Sequence, residues 1–253
     1  HPPTNTQICP IITPPIPSSP QGDHGHAFLV GGSMGRMGAA VIAARACLRA
    51  GAGLLTVNVP QEERSVLQTA IPEAMLTMRE AFDCDFNKFS ALGIGPAIGT
   101  DKYAAERLAK IITACNIPLL LDADALNILA TDKKLFDEVP NQTILTPNPK
   151  EFDRLFRINK NEEERRSTAI KIAKEKNIVL VLKGHQTLIT SGGKSFLNTT
   201  GNAGLAKGGC GYALTVIITA FLEQAYTPIN ESAAGVFKQG LDADIDLKNK
   251  SLE

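Results

Sequence analysis

Ile178-Val179-Leu180-Val181-Leu182-Lys183 is apolar at every position until its last residue. An unbroken run of valine, isoleucine and leucine has no polar alternate to face water, so it suits a strand covered on both faces. Residues 168–176, just before it, read as a helix, and the run closes on a cation. A helix that feeds a fully buried strand with a charged end is the repeating unit of a parallel α/β sheet.

The same unit recurs in both directions. Residues 26–31 (HAFLVG), 53–59 (GLLTVNV, closed by Pro60) and 89–94 (FSALGI, followed by GPAIGT) are short apolar runs. So are 117–122 (IPLLLD), ending in an acid, and 143–146 (TILT), stopped by Pro147 and Pro149. Residues 37–50 are Ala-rich, with Arg45 and Arg49 on one wet face, and 103–115 carry Ala104, Leu108, Ile111, Ile112 and Cys115 at helical spacing. Residues 187–190 and 195–198 flank a Ser-Gly-Gly-Lys turn and read as an antiparallel hairpin. Leu214, Ile217, Ile218, Phe221 and Leu222 mark a long helix, and 233–245 complete the set. The pattern predicts an α/β fold with a mainly parallel central sheet covered on both faces. No linker follows Pro20 and no repeat is present, so residues 1–20 are expected to be an irregular N-terminal segment and 21–253 a single domain.

Composition narrows the function. Lys+Arg and Asp+Glu are both 26, so the formal charge is zero, and nucleic acid, held by surplus cations, is excluded as the main partner. The dense charge run, residues 162–166, places Glu162 and Arg166 four apart, an ion pair on a solvated helix face. The five cysteines (Cys9, Cys47, Cys84, Cys115, Cys210) form no C-x-x-C or Cys/His cluster, so no metal site or disulfide framework is assigned. Cys47 and Cys115 read as small core residues, and the pattern fits a reducing, cytoplasmic location. No apolar run approaches the roughly 18 residues of a membrane span. A start at His1 rather than Met is expected of a cut or processed piece of a longer chain.

In open parallel sheets ligands bind beyond the C-terminal strand ends. Glycine and polar punctuation falls there: Gly31-Gly32-Ser33, residues 93–99, Asp122-Ala123-Asp124, Asn148 and Lys183-Gly184-His185. Residues 31–38 (GGSMGRMG) match neither the P-loop nor the dinucleotide fingerprint. They and residues 93–99 serve equally as ligand loops or plain turns. Residues 201–211 (GNAGLAKGGCG) are more telling, because glycines and Lys207 run directly into a helix. A helix start lined by glycine presents free N–H groups and a positive dipole end, which suits phosphate. Asp122, Asp124 and Glu151 suit either structural duty or contact with metal or phosphate, Asp124 as a cap before Ala125 and Glu151 in a first helical turn. His24 and His26 read as structural. Lys183, a cation at a buried strand end, needs an anionic partner, either a nucleotide phosphate or a neighbouring carboxylate.

The glycine-rich helix start resembles the signature G-N-x-G-[ML]-A-x-G-G-x-G-D of the ADP/ATP-dependent NAD(P)H-hydrate dehydratases, a branch of the ribokinase-like kinases. The other motifs follow in the family's order: Gly22-Asp23-His24-Gly25-His26 with Gly31-Gly32-Ser33, Arg49-Ala50-Gly51-Ala52-Gly53-Leu54, Gly93-Ile94-Gly95-Pro96, Leu121-Asp122-Ala123-Asp124-Ala125-Leu126-Asn127, Leu145-Thr146-Pro147-Asn148-Pro149-Lys150-Glu151 and Leu182-Lys183-Gly184-His185-Gln186-Thr187. The resemblance implies a ribokinase-like three-layer α/β/α sandwich. It also implies removal of the hydroxyl from hydrated NADH or NADPH at the expense of ADP or ATP with Mg²⁺, and a homo-oligomer. Carried over by resemblance, Lys183, Gly184, His185, Gln186, Thr187, Gly208, Gly209 and Gly211 contact the nucleotide. Ala40, Gly95, Asn148 and Tyr212 lie against the hydrated nicotinamide.

Tyr212 is the main departure, standing where the family places a catalytic aspartate. A carboxylate of pKa about 4 is an available base at neutral pH, while a phenol near 10 is protonated. By sequence the chain lacks its family base, which motivates one alternative, a non-catalytic nucleotide-binding relative. The shared fold alone motivates a second, a small-molecule kinase acting on a sugar or hydroxymethyl alcohol. Tyr212 weakens that reading equally, because such kinases use the same aspartate. Smaller departures are Ala203 for the usual proline, Asn148 where many bacterial members carry His, and Gln239 where a His commonly stands.

Overall fold

The computed structural model of the chain describes residues 25–81, 83, 85–184, 186–198, 211, 214, 217–220, 228, 230, 232–236 and 239. The expected N-terminal segment 1–20 lies outside these residues. Among these residues nine strands form one sheet: β1 (His26–Val30), β2 (Leu54–Val59), β3 (Met75–Met78), β4 (Ala91–Ile94), β5 (Leu119–Leu121), β6 (Ile144–Leu145), β7 (Val179–Leu182), β8 (Leu188–Ser191) and β9 (Lys194–Leu197). Their spatial order is β3-β2-β1-β4-β5-β6-β7-β8-β9. The first seven run parallel and the last two antiparallel, so the expected mainly parallel α/β sheet is the one that forms.

Helices connect the strands: α1 (Met37–Arg49), α2 (Arg64–Ala70), α3 (Lys102–Ala114), α4 (Asp124–Thr131), α5 (Lys133–Asp137), α6 (Pro149–Leu155) and α7 (Glu162–Glu175). Alternation along the strands divides the core in two. Phe28, Val30, Leu92, Ile94, Leu121, Leu145, Leu180 and Leu182 pack with α3, α4, α6 and α7 on one face. Ala27, Leu29, Leu55 and Val57 meet α1 on the other face, where Leu120, Ile144, Val179 and Val181 meet Leu214 and Ile218. The described helical positions at 214 and 217–220 therefore lie over the middle of the sheet. A Cβ on Gly93 of β4 would come within 2.7 Å of Thr219 Oγ1, so that glycine is what lets the helix lie flat on the central strand.

Local chemistry sets the boundaries. The hairpin closes through Gly192 and Gly193, both at positive φ, between the paired Ser191 and Lys194. Asp101 caps α3 by accepting from Ala104 N at 2.9 Å. The helix before β7 starts at Glu162, earlier than the expected 168, because Asn161 caps it by accepting from Glu164 N at 2.8 Å. Three glutamates then occupy its first turn, where the helix dipole favours acids. Arg166 pairs with Glu162 as its spacing predicts, but it also reaches the carbonyl and side-chain oxygens of Gln186 at 3.4 and 3.3 Å. The solvated pair is thus also a brace between α7 and the loop that follows β7. Both α2 and β3 fall in a stretch for which the sequence analysis predicts no element.

Candidate active site

The first residues past β5, β6 and β7 are Asp122, Thr146 and Lys183. Continuing the alternation, they extend the face covered by the described helical positions 214 and 218. Asp122 is fully buried, and Lys183 Nζ donates to its Oδ1 at 2.7 Å. Of the two partners left open for Lys183 by sequence, the carboxylate is therefore in place. A buried carboxylate demands this, since an unpaired one costs far more than the pair. A Cβ on Gly211 would lie 3.5 Å from Lys183 Nζ, so the missing side chain keeps the approach to the ammonium group open. Thr146 is also fully buried, and its Oγ1 has no hydrogen-bond partner among the described residues.

Asn148 and Glu151 form a reciprocal cap on α6. Asn148 Oδ1 accepts from Lys150 N and Glu151 N, each at 3.0 Å, and Glu151 Oε2 accepts from Asn148 N at 2.8 Å. Burial pushes the Glu151 carboxyl up from its ordinary range against the pull of Lys183 and of the Asn148 N–H, while Asp122 pushes it the same way. Lys183, Asp122, Asn148 and Glu151 thus share one electrostatic site.

Asp124 does not cap α4 as its position suggested. Ala123 occupies the cap position with φ 48°, and Asp124 is already in the helix. Its carboxylate instead turns outward to accept from Gly99 N at 2.9 Å and to face Arg36 Nη1 at 3.6 Å. Arg36, half exposed, also donates from Nε to Ser33 Oγ at 3.0 Å, and so links the loop after β1 to the loops after β4 and β5.

Gly95 is required by geometry: its φ is 136°, and a Cβ there would sit 1.8 Å from the Asp122 carbonyl oxygen. Gly32 N donates to Pro96 O at 2.8 Å, which seals the loop after β1 to the loop after β4. Ala40 is wholly buried in the core cluster of α1, its Cβ lying under Gly31 and Gly32, so it supports this wall from below. Gly184 is exposed, Gln186 is held by Arg166, and Thr187 O accepts from Asn198 N at 2.9 Å. His185, Gly208, Gly209 and Tyr212 lie outside the described residues. The sequence marks neither Arg36 nor Arg79, and it shows Arg166 only as half of a solvated ion pair; Arg79 lies in the unassigned stretch around β3, where no motif or periodicity marks it.

A helix-covered, mainly parallel sheet with a lysine-carboxylate pair beside the helical Gly211 is the arrangement of a ribokinase-like α/β/α domain. The family profile described as NAD(P)H-hydrate dehydratase matches residues 27–252. The chain belongs to that family. An ADP-dependent (S)-NAD(P)H-hydrate dehydratase of Neisseria meningitidis is 35% identical over 234 residues, spanning 90% of this chain and 79% of its own. A bifunctional NAD(P)H-hydrate repair enzyme of Moorella thermoacetica is 35% identical over 243 residues, 90% of this chain but 46% of its own. The chain thus spans about half the length of that relative. Among solved structures, the ADP/ATP-dependent NAD(P)H-hydrate dehydratase of Bacillus subtilis, co-crystallised with ATP and Mg²⁺, superposes with a TM-score of 0.85 at 29% identity, covering 96% of this chain and 88% of its own.

Proposed function

We propose that the chain removes the hydroxyl from hydrated NADH or NADPH at the expense of ADP or ATP. The observation that carries this reading is the Lys183–Asp122 pair beside Gly211, where a cation and a position without a side chain leave room for phosphate. Lys183 offers its remaining N–H donors to phosphate oxygens, and Asp122 holds the ammonium group in place. With Oδ1 engaged in the cap, Asn148 has its Nδ2 left to meet the substrate. Gly95, packed against the Asp122 carbonyl, belongs to the wall that Ala40 supports and that the substrate meets.

The residues present fit a metal-bound nucleotide. Two carboxylates, Asp122 and Glu151, and the buried Thr146 hydroxyl supply oxygen donors. Among the described residues no group of three acids, histidines or cysteines could hold a metal alone. Mg²⁺ takes one or two carboxylates and fills its shell with phosphate and water. When bound, the nucleotide supplies the phosphoryl group that turns the substrate hydroxyl into a leaving group. Among the described residues no helix is long and apolar enough to cross a membrane. A homo-oligomer in the cytoplasm accompanies this reading, and sedimentation velocity tests the assembly.

Tyr212 favours a second reading, a relative that binds nucleotide without turnover, because a phenol of pKa about 10 is a poor base at neutral pH. Conversion of hydrated NADH, followed by the recovery of NADH absorbance, decides between them when this chain is assayed beside Tyr212→Asp. Turnover by the natural chain supports the dehydratase. Turnover by the variant alone assigns the natural chain to the non-catalytic class.

A further inference from the structure

Arg79 follows β3 at the far side of the sheet from Lys183, is buried, and has backbone and amide oxygens as its partners. Its Nη1 donates to Gly32 O at 2.8 Å, and its Nη2 to Gly31 O at 2.8 Å and Asn58 O at 3.1 Å. Nε lies 3.4 Å from Asn58 Oδ1, and Asn58 is itself held through Nδ2 to Thr77 Oγ1 at 3.0 Å. One planar fork therefore gathers the carbonyls that end β1 and β2. A trans peptide points its N–H opposite to its carbonyl. With the Gly31 carbonyl drawn to Arg79, the Gly32 N–H faces the other way, onto Pro96 O at 2.8 Å. The Gly32 carbonyl, drawn to the same guanidinium, likewise turns the Ser33 N–H away from it. Gly32 makes this possible by its φ of 72°, and Ala40 and Met37 fill the space where a Cβ would stand.

We propose that Arg79 is a positioning residue: it fixes residues 31–33 against Gly95 and Pro96 and so sets affinity for the hydrated nicotinamide without setting affinity for the nucleotide. The proposal rests on the reading above in which the wall containing Gly95 and supported by Ala40 faces the substrate. The separation follows from strand order, because β1 and β4 carry the Arg79-held wall while Lys183 follows β7, with β5 and β6 between β4 and β7. A guanidinium is needed, since three carbonyls converge on a planar fork that a lysine ammonium cannot span. Burial also lowers this guanidinium to about 10, a cost borne at a position where an apolar side chain would pack without it. The adjoining cavity of about 20 Å³, lined in part by Val30, Ile98 and Tyr103, has room for roughly one water.

The test compares the natural chain with Arg79→Lys and Arg79→Met by calorimetric binding of hydrated NADH and of ADP, and by amide hydrogen exchange. Loss of hydrogen bonds to a charged group is expected to weaken hydrated NADH by about tenfold or more in both variants, with ADP affinity unchanged. Exchange should rise in peptides covering residues 31–33 and stay level in the β7–β8 region. Equal hydrate affinity, an equal loss for ADP, or faster exchange throughout the chain overturns the proposal. If the natural chain binds no hydrated NADH, the substrate reading fails, and the exchange result alone decides whether Arg79 fixes the loop.

Discussion

Asp122 keeps its charge away from water because one ammonium group meets it at 2.7 Å. Removing the lysine takes the counter-charge from a carboxylate in a low-dielectric site, which costs more than removing both groups together. Lys183→Met is therefore expected to lower stability by about 3 kcal/mol or more, and the double variant Lys183→Met/Asp122→Leu by distinctly less. Urea midpoints of the three proteins check this ordering, and a double variant as weak as the single would count against it. Glycine at 95 is held by a different constraint. Gly95 and Gly192 both have positive φ, but only at Gly95 would a Cβ strike backbone, 1.8 Å from Asp122 O. Gly192→Ala should cost about 1 kcal/mol for its conformation alone. Gly95→Ala should cost about 3 kcal/mol or more, because the strand ends after β4 and β5 must move apart. Comparable thermal shifts in the two alanine variants would remove the collision argument.

Helices α6 and α7 are joined by Arg165, which donates to Asp153 Oδ1 at 2.9 Å and Oδ2 at 2.7 Å, and Asn159 Nδ2 adds 2.8 Å to the same carboxylate. The hydrogen bonds from Arg165 outweigh burial and hold Asp153 below the usual carboxylate range. A folded-state pKa below the unfolded value means that this stabilisation is present above about 4 and is lost as pH falls toward the folded value. Asp153→Asn should thus cost about 1–2 kcal/mol at pH 7 and little at strongly acidic pH. Denaturation of both proteins across that range checks the sign. The elements that sequence made legible share one property: their signal is local. The unbroken apolar run of β7 and the Gly192-Gly193 turn carry their structure in adjacent residues. By contrast, β3 is four residues, Met75–Met78, exposed or half-buried, with neither an apolar run nor an alternation to mark it. Asn161 as a cap was hidden by the charged run behind it. The Lys183–Asp122 pair joins residues 61 apart in sequence, so spacing could pose the need for an anion but not name it. Arg79 gave no signal, because its worth lies in carbonyls supplied by two other strands.

At the scale of the molecule, every strand from β3 to β9 belongs to one sheet, and each central strand contributes side chains to a core on either face. Neither face can lose its helices without uncovering the apolar side of strands the other face still needs. The described domain is therefore expected to unfold as one cooperative unit. The chain has no tryptophan, so thiols serve as the reporters. Cys47 is buried in α1 on one face. Cys115, just after α3, packs on the other face and donates to Ile117 O at 3.3 Å, and burial pushes its thiol up, away from the reactive thiolate. Labelling in increasing urea, with peptide mass mapping to separate these two from the other cysteines, should give the same midpoint for both and for far-UV circular dichroism. Gly95→Ala, acting between the two faces at the strand ends, should lower both midpoints together. A Cys47 midpoint that parts from that of Cys115 would divide the chain into two cooperative units, and the single-domain account would fall with it.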